Sequence, residues 1–518
     1  MNVTERRPLA ILRILCAIVL VAFCLPSSAQ VFLNEICADN GGSVVSPGHT
    51  SPDYIELYNT NSAAVSLSSW TLTDDPTTPA KYKFPSGTSI PAKGFLIVWL
   101  DSSITYTGLI CTNFTLKNSG EEVALYNGST RKDYVVFGPQ IRDLPLCRLP
   151  NGTGAWTLGK PTPLATNQAV VAGTFGTNIA LRINEWLATN SAGANMDWLE
   201  IYNPKTNGIV ALGGLYISDM TNAITTPALR PNSFIGSGAF LQYWCDSTTN
   251  LPDHLLFKLS HTLGETITIY QTNKTSIIDR VTFGPQTGDV SMGRLPDGGT
   301  NFFYFPGKSN LTPGAANAWQ AITNILLNEI LTHTDPPIED AVELYNPTDT
   351  AVDISNWWMS NDADFPFKFH IPAGTVVPAH GYKMFFEQNQ LNGASTTPGF
   401  NRSGTGNLPD FTFNSAHGDS VLLTSVLPNG TVTGARIKKD FGSAAHGVSF
   451  GRYVKSDGGT DLVAMKSRTF GHDNPIDISD FRLSTGMDNS PPLIGPMIIT
   501  EILYNPPDVI SGGLTNDN

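Results

Sequence analysis

Along most of the chain, apolar and polar residues alternate in short runs, and Gly, Pro, Asn or Asp separates one run from the next. A period of two belongs to half-buried strands, and no segment carries the three-and-four spacing of a long amphipathic helix. One run, "DYIELYN" from Asp53 to Asn59, has Ile55 and Leu57 on one face and Glu56 and Tyr58 on the other, with Asn59 placed to begin a turn. It returns as "DWLEIYN" (Asp197 to Asn203) and "DAVELYN" (Asp340 to Asn346), which keep Glu200, Tyr202 and Asn203, then Glu343, Tyr345 and Asn346, in register.

The repeat is longer than this heptad. "FLNEI", "RINEW" and "LLNEI" precede the three copies and carry Glu35, Glu185 and Glu329. A strand around Trp70, Leu215 or Trp357 follows, and then an Asx-type turn at Asp74, Asp219 or Asn361. "FPSGTSIPAKGFLIVWLD" and "IPAGTVVPAHGYKMFFE" come next, loosely matched by "RPNSFIGSGAFLQYWCD". Each unit continues through a Gly-acidic turn into a strand ("NSGEEVALY", "TLGETITIY", "AHGDSVLLT"). It closes on "DYVVFGPQIRDLPLCRLPNG", "DRVTFGPQTGDVSMGRLPDG" or "KKDFGSAAHGVSFGRYVKSDGG", which hold Arg148, Arg294 and Arg452. The Asn-Glu pairs recur at intervals of 150 (Glu35 to Glu185) and 144 residues (Glu185 to Glu329). That period exceeds a solenoid unit and suits a self-contained sandwich of seven or more strands.

The expected fold is therefore all-β, in tandem. A domain at 30–164, a second at 179–317 and a third at 324–475 are followed by a linker at 476–496 and the opening of an incomplete fourth repeat at 497–518, "MIITEILYNPP" onward. Those last residues restart a strand without its partners, which predicts a loosely held end and a longer natural product. Short linkers near 165–178 and 307–324 predict three separable beads.

Composition adds the compartment. Arg6, Arg7 and Arg13 precede and enter an apolar run from Ile14 to Leu25, and Ser27-Ser28-Ala29 offers small residues for cleavage. Residues 1–29 read as a secretory signal peptide with Gln30 as the mature N-terminus. Phe23 is too bulky a neighbour for a lipid anchor at Cys24. No later run is apolar enough to span a membrane as a helix. Removing the signal leaves 28 basic against 43 acidic residues, a net charge of −15. Such a surface repels nucleic acid and anionic lipid. Cys37, Cys111, Cys147 and Cys245 remain, with no zinc spacing among them. Cys111 and Cys147 are candidates for a disulfide, and buried thiols are the other reading.

Taken together, Asn-Glu-Ile/Trp, Glu-Φ-Tyr-Asn, the Trp positions, "FPSGTSIPAKGFLIVW" and "NSGEEVAL" resemble the lamin-tail domain over nearly all of residues 30–475. The second repeat is the most distant. The resemblance implies immunoglobulin-like β-sandwiches and no catalytic residues. It brings a link to DNA and protein binding, of which the acidic surface disfavours the DNA part.

Several strings imitate active sites. "GVSFG" (Gly447 to Gly451) has the form of a hydrolase nucleophile elbow. Its counterparts "DVSMG" and "DLPLC" drop the first Gly, and the latter also the Ser, so Ser449 reads as a turn residue before Arg452. "HGDSVLL" resembles an esterase block, but the other repeats keep only Gly, an acid and a strand, so Ser420 and His417 read as structural. The pairs Glu35 with Glu56, Glu185 with Glu200 and Glu329 with Glu343 have the residue types of a glycosidase site. Threefold repetition favours a structural role at a sheet edge, accepting backbone or Tyr hydrogen bonds. Asp74-Asp75, Asp219 and Asn361-Asp362-Ala363-Asp364 read as Asx turns rather than Ca²⁺ loops. Trp357-Trp358, Phe365, Phe367, Phe369 and Tyr243-Trp244 divide between core and an exposed stacking surface.

The expectation is a secreted, non-catalytic structural or binding protein with no cofactor and no metal, whose partner is a protein or a carbohydrate. The alternative is the accessory region of a larger secreted enzyme, a spore-coat-type kinase or a hydrolase, with its catalytic domain beyond residue 518.

Overall fold

The computed structural model describes residues 31–101, 108–170, 179–188, 197–204, 208–221, 224–248, 251–286, 288–335, 338–387, 399–400, 411–428, 430–470, 487–495, 510–511 and 514–515. Residues 1–29, read from the sequence as a signal peptide, and 497–507, read as a restarted strand, lie outside these residues. Among the described residues the secondary structure is strand throughout, apart from one 3-10 turn at Lys308–Asn310. No helix there is long and apolar enough to cross a membrane.

The first repeat folds as two main antiparallel sheets, with a two-stranded ribbon of Val65–Ser66 and Ser89–Ile90 beside them. One runs in the order Gln168–Ala169, Ala155–Lys160, Leu146–Leu149, Val31–Cys37, Tyr54–Asn59, Phe95–Trp99, and the other in the order Tyr82–Lys83, Trp70–Thr73, Glu121–Asn127, Thr130–Phe137. The same pairings recur twice. Arg182–Leu187 lies between Trp198–Tyr202 and Val290–Arg294, and Leu326–Leu331 lies between Ala341–Tyr345 and Phe450–Val454. The fold is thus all-β, with immunoglobulin-like layering.

In each repeat the strand of the recurring heptad feeds the core as the alternation predicts. Ile55 and Leu57, Leu199 and Ile201, and Val342 and Leu344 are all buried. Its polar face is buried too, because the chain that follows the last strand folds back over it. Asn59, Asn203 and Asn346 end these strands as turn residues with a further use. The Asn59 amide donates to the carbonyls of Ala63, Ile90 and Pro91, and the Asn346 amide to those of Thr350, Val377 and Pro378. This anchors the "IPA-x-G" loop. Trp70, Leu215 and Trp357 fill the core, and the Trp357 indole N–H donates to Val426 O at 3.1 Å.

The chain divides into two compact units, Met1–Ala172 with Arg230–Phe234, and Gly173–Leu229 with Ile235–Asn518. Within the second unit, repeats two and three share a sheet. Phe302–Pro306 pairs in parallel with Val432–Phe441 at Tyr304 and Thr433, and Gln320–Ala321 pairs with Ala435 and Arg436. Phe303, Phe305 and Leu295 form a buried cluster there with Trp319, Phe367 and Val432.

The sheet order rules out the Cys111–Cys147 bridge. Cys147 sits on Leu146–Leu149 and Cys111 bridges to Trp99, so three strands lie between them. Four strand spacings are about 19 Å, far beyond the roughly 7 Å between Cα atoms that a disulfide spans. All four cysteines are free thiols, three of them buried.

Candidate functional site

Each repeat opens with a β-bulge at its Asn-Glu pair. The register shifts between Leu33 and Glu35, between Ile183 and Glu185, and between Leu327 and Glu329. The extra residue is Asn34, Asn184 or Asn328. A bulge re-aims the side chains that follow it, and here it sets Glu35 directly opposite Glu56, Glu185 opposite Glu200 and Glu329 opposite Glu343. All six carboxyl groups are 0% exposed. They stand on interior strands of their sheets and not at a sheet edge, because both neighbouring strands are hydrogen-bonded to them.

The two members of each pair have different partners. Glu35 accepts from the Tyr54 hydroxyl (2.5 Å), the Thr162 N–H (3.1 Å) and the Thr162 hydroxyl (2.5 Å). Glu185 accepts from the hydroxyls of Ser291 (2.5 Å) and Thr312 (2.7 Å) and from the Thr312 N–H. Glu329 accepts from the hydroxyls of Ser449 and Thr469, both at 2.5 Å, and from the Thr469 N–H. The second glutamate receives only amides. Glu56 accepts from Asn34 Nδ2 and Leu164 N–H, and Glu200 from Asn184 Nδ2 and Gly314 N–H. Glu343 accepts from Asn328 Nδ2. Among the described residues, its other oxygen has no partner.

Burial, the largest cause throughout, raises all six above the usual carboxylate range. It takes Glu56 and Glu200 to about 8 and Glu343 to about 9, and Glu35, Glu185 and Glu329 are raised as well. Three donors favour the ionised form of the first glutamate, and the adjacent like charge disfavours ionising the second. Within each pair the second glutamate therefore holds its proton more tightly than the first.

An asparagine completes each pair. Asn167 Nδ2 donates to the carbonyls of Asn34 and Arg148, Asn317 Nδ2 to those of Asn184 and Arg294, and Asn489 Nδ2 to those of Asn328 and Arg452. Asn167 and Asn489 lie past the expected domain ends at 164 and 475, and Asn489 falls in the stretch read as a linker. The Arg positions brace the bulge from the other side. Arg148 donates to Leu33 O, Gly154 O and Asp133 Oδ1, while Asp133 Oδ2 accepts the Leu33 N–H. Arg294, Ile183 and Asp279 repeat this arrangement. Arg452 does not, because Ile437 stands where the aspartates stand, and its guanidinium lies 5.9 Å from the Tyr345 ring centre instead. Tyr58, Tyr202 and Tyr345 pack on Phe95, Phe240 and Tyr382 of the next strand, with centroids 4.6–4.9 Å apart.

The sequence reading missed Asp133, Asp279, Thr162 and Thr312. Their signal was present, as an Asp four residues before the Phe-Gly of repeats one and two and as "TPLATN" and "TPGAAN". It also missed a swap visible within the chain. Repeat one has Pro145 where Ser291 and Ser449 stand, and the hydroxyl comes instead from Tyr54, where the others carry Trp198 and Ala341.

The local active-site imitations resolve into packing. Ser449 is buried against Glu329 and leads into a strand, and Ser420 lies on Asp419–Val426, donating to Asp440. The Asp75 carboxylate accepts from Thr77 and Thr78, and the Asn361 carbonyl oxygen accepts from Lys368. Among the described residues no cluster of three or more His, Cys, Asp or Glu side chains has metal-binding geometry. Of the aromatic group, Trp357, Phe369 and Tyr243 are buried, Phe367 packs on Phe303, and Phe365 is 66% exposed.

Tandem sandwiches stiffened by buried polar networks define a structural or binding module of immunoglobulin-like fold. The family model for the Lamin Tail Domain matches residues 26–138 and 319–438, and these two regions are of lamin-tail type. The region 181–317 lies between the matches and repeats the same strand pairings. No curated protein and no solved structure matches the chain.

Proposed function

We propose that the chain is a secreted, non-catalytic array of three lamin-tail-type domains, the middle one divergent, that makes protein or carbohydrate contacts outside the cell. The observation that carries this reading is the fate of the chemistry-bearing residues. The paired glutamates and Ser449 lie buried, and the glutamate network recurs in every repeat. The high acidic excess supports a partner other than nucleic acid.

Two measurements test it. The N-terminal residue of protein recovered from outside the cell is expected to be Gln30. Ser449→Ala is expected to cost about 1–2 kcal/mol of stability, because Glu329 loses a buried donor, and to leave any ester, glycoside or phosphoryl turnover of the full chain unchanged. Turnover lost in Ser449→Ala with melting unchanged would sink the non-catalytic reading.

A further inference from the structure

The three glutamate pairs are covered by segments that close late in each repeat, and these segments are held by the carboxylates together with the closing asparagines. Thr162 and Leu164 in repeat one reach back 127 and 108 residues to Glu35 and Glu56. Thr312 and Gly314 do the same in repeat two, and Thr469 in repeat three. Leu164, whose N–H makes one of these contacts, is itself 59% exposed, so burial of its side chain contributes little to holding that turn down. The closing segments also lie outside both regions matched by the family model.

We propose that each closing segment is a proton-held clasp, which stays folded over its glutamate pair while the pair retains one proton and opens when that proton is lost.

The surroundings of each pair contain little to neutralise a second charge. Glu35 and Glu56 face each other, Tyr54, and the thiols of Cys37 and Cys147, and all of these are neutral or negative when they titrate. Glu185 and Glu200 face each other and Asp297. The neighbouring guanidiniums of Arg148 and Arg294 are directed to Asp133, Asp279 and backbone carbonyls. In repeat three, Glu329 has Arg468 nearby, and Glu343 faces Glu329 and Tyr382. A second buried anion with no counter-ion is costly, and local opening rehydrates it. The clasp is the element that can yield, since the sheets beneath are held by their own ladders and cores.

The sign follows from linkage. The second glutamate binds its proton more tightly in the closed form, to about 8 in Glu56 and Glu200 and about 9 in Glu343, against about 4.3 for an exposed side chain. Closure is therefore fully supported below about pH 4.3, the support falls by one proton's worth per pH unit above that, and it is gone once pH has risen through 8 to 9.

Hydrogen exchange on the full chain between pH 6 and 9.5, corrected for the intrinsic rise of exchange with pH, tests the idea. From pH 6 up to about pH 8 the protection of peptides spanning Thr162–Asn167 and Thr312–Asn317 should fall by roughly tenfold per pH unit, one proton's worth, and then level off above the closed-form value of about 8. Peptides from Glu121–Asn127 and Glu265–Tyr270 should keep theirs. Glu56→Gln should flatten the profile of the first clasp alone, with the second clasp in the same molecules as an internal control. If that variant fails to fold, Glu200→Gln gives the same contrast in repeat two, and the wild-type profile decides by itself. Clasp protection that stays constant with pH, or that falls in step with the sheets, would overturn the proposal.

Discussion

Replacing Asn34 with Ala should lower the stability of the first repeat by about 3–5 kcal/mol, the range for breaking a buried hydrogen-bonded network around a charge. Asn34 is the bulge residue, and its side chain serves Glu56 Oε1 (2.9 Å), Asn167 Oδ1 (3.3 Å) and the Gly152 N–H (2.9 Å) at once. Without it all three groups stay buried with a partner missing. For a domain of this size that loss corresponds to a fall in melting temperature of about 10 °C. Asn34→Asp, nearly isosteric, should be worse than Ala at pH 8, because it keeps the acceptor for Gly152 but adds a third carboxyl group beside two others. Near pH 5 that difference should narrow as the added group takes up a proton. Calorimetry of the two variants at both pH values checks this; equal losses at pH 8 would mean that the charge of the pair does not matter to the fold.

Much of this architecture was legible because it is written more than once. The Glu-Φ-Tyr-Asn strand places Ile55 and Leu57 in the core by simple alternation, and the recurrence of Glu35 with Glu56 marks a position that each repeat needs. What alternation does not carry is the bulge. A single inserted residue reverses which face the next side chain meets, so Asn34 and Glu35 read as successive positions of one strand when one of them is the insertion. The closing segment was illegible for another reason. "TPLATN" forms no strand of its own and only leads into the two-residue strand Gln168–Ala169, and its place depends on partners more than a hundred residues earlier. In repeat three the asparagine is delivered from Asn489, well past the turn that carries Thr469, so a fixed spacing would have pointed elsewhere. Arg452 shows the converse. The residue recurs, but its Asp partner does not, and identity at one position did not carry the interaction.

The same comparison bears on how the second unit unfolds. Phe303 is 0% exposed and stacks edge-on against Trp319 at 4.7 Å, and Phe367 of repeat three lies 5.6 Å from it. Arg436 covers the outer face of Trp319 at 3.8 Å, and a Cβ on Gly434 would sit 2.5 Å from the Phe305 ring, so repeat three approaches as closely as glycine permits. Three bridged residue pairs and this aromatic cluster tie the end of one repeat to the hairpin of the next. Phe303→Ala should therefore cost about 3–5 kcal/mol, the range for truncating a buried aromatic ring, and most of that loss should fall on the coupling between repeats two and three. The wild-type unit is expected to melt in one transition and to resist cleavage near 307–324, leaving a fragment that spans both repeats. In Phe303→Ala the transition should split in two and the 307–324 segment become cleavable, releasing fragments of single-repeat size. Gly434→Ala, which crowds the same contact from the other side, should act in the same direction with a smaller loss of about 1–3 kcal/mol. A wild-type protein already cut at 307–324 under mild proteolysis would mean that the shared sheet does not couple the two repeats, and that they behave as independent beads.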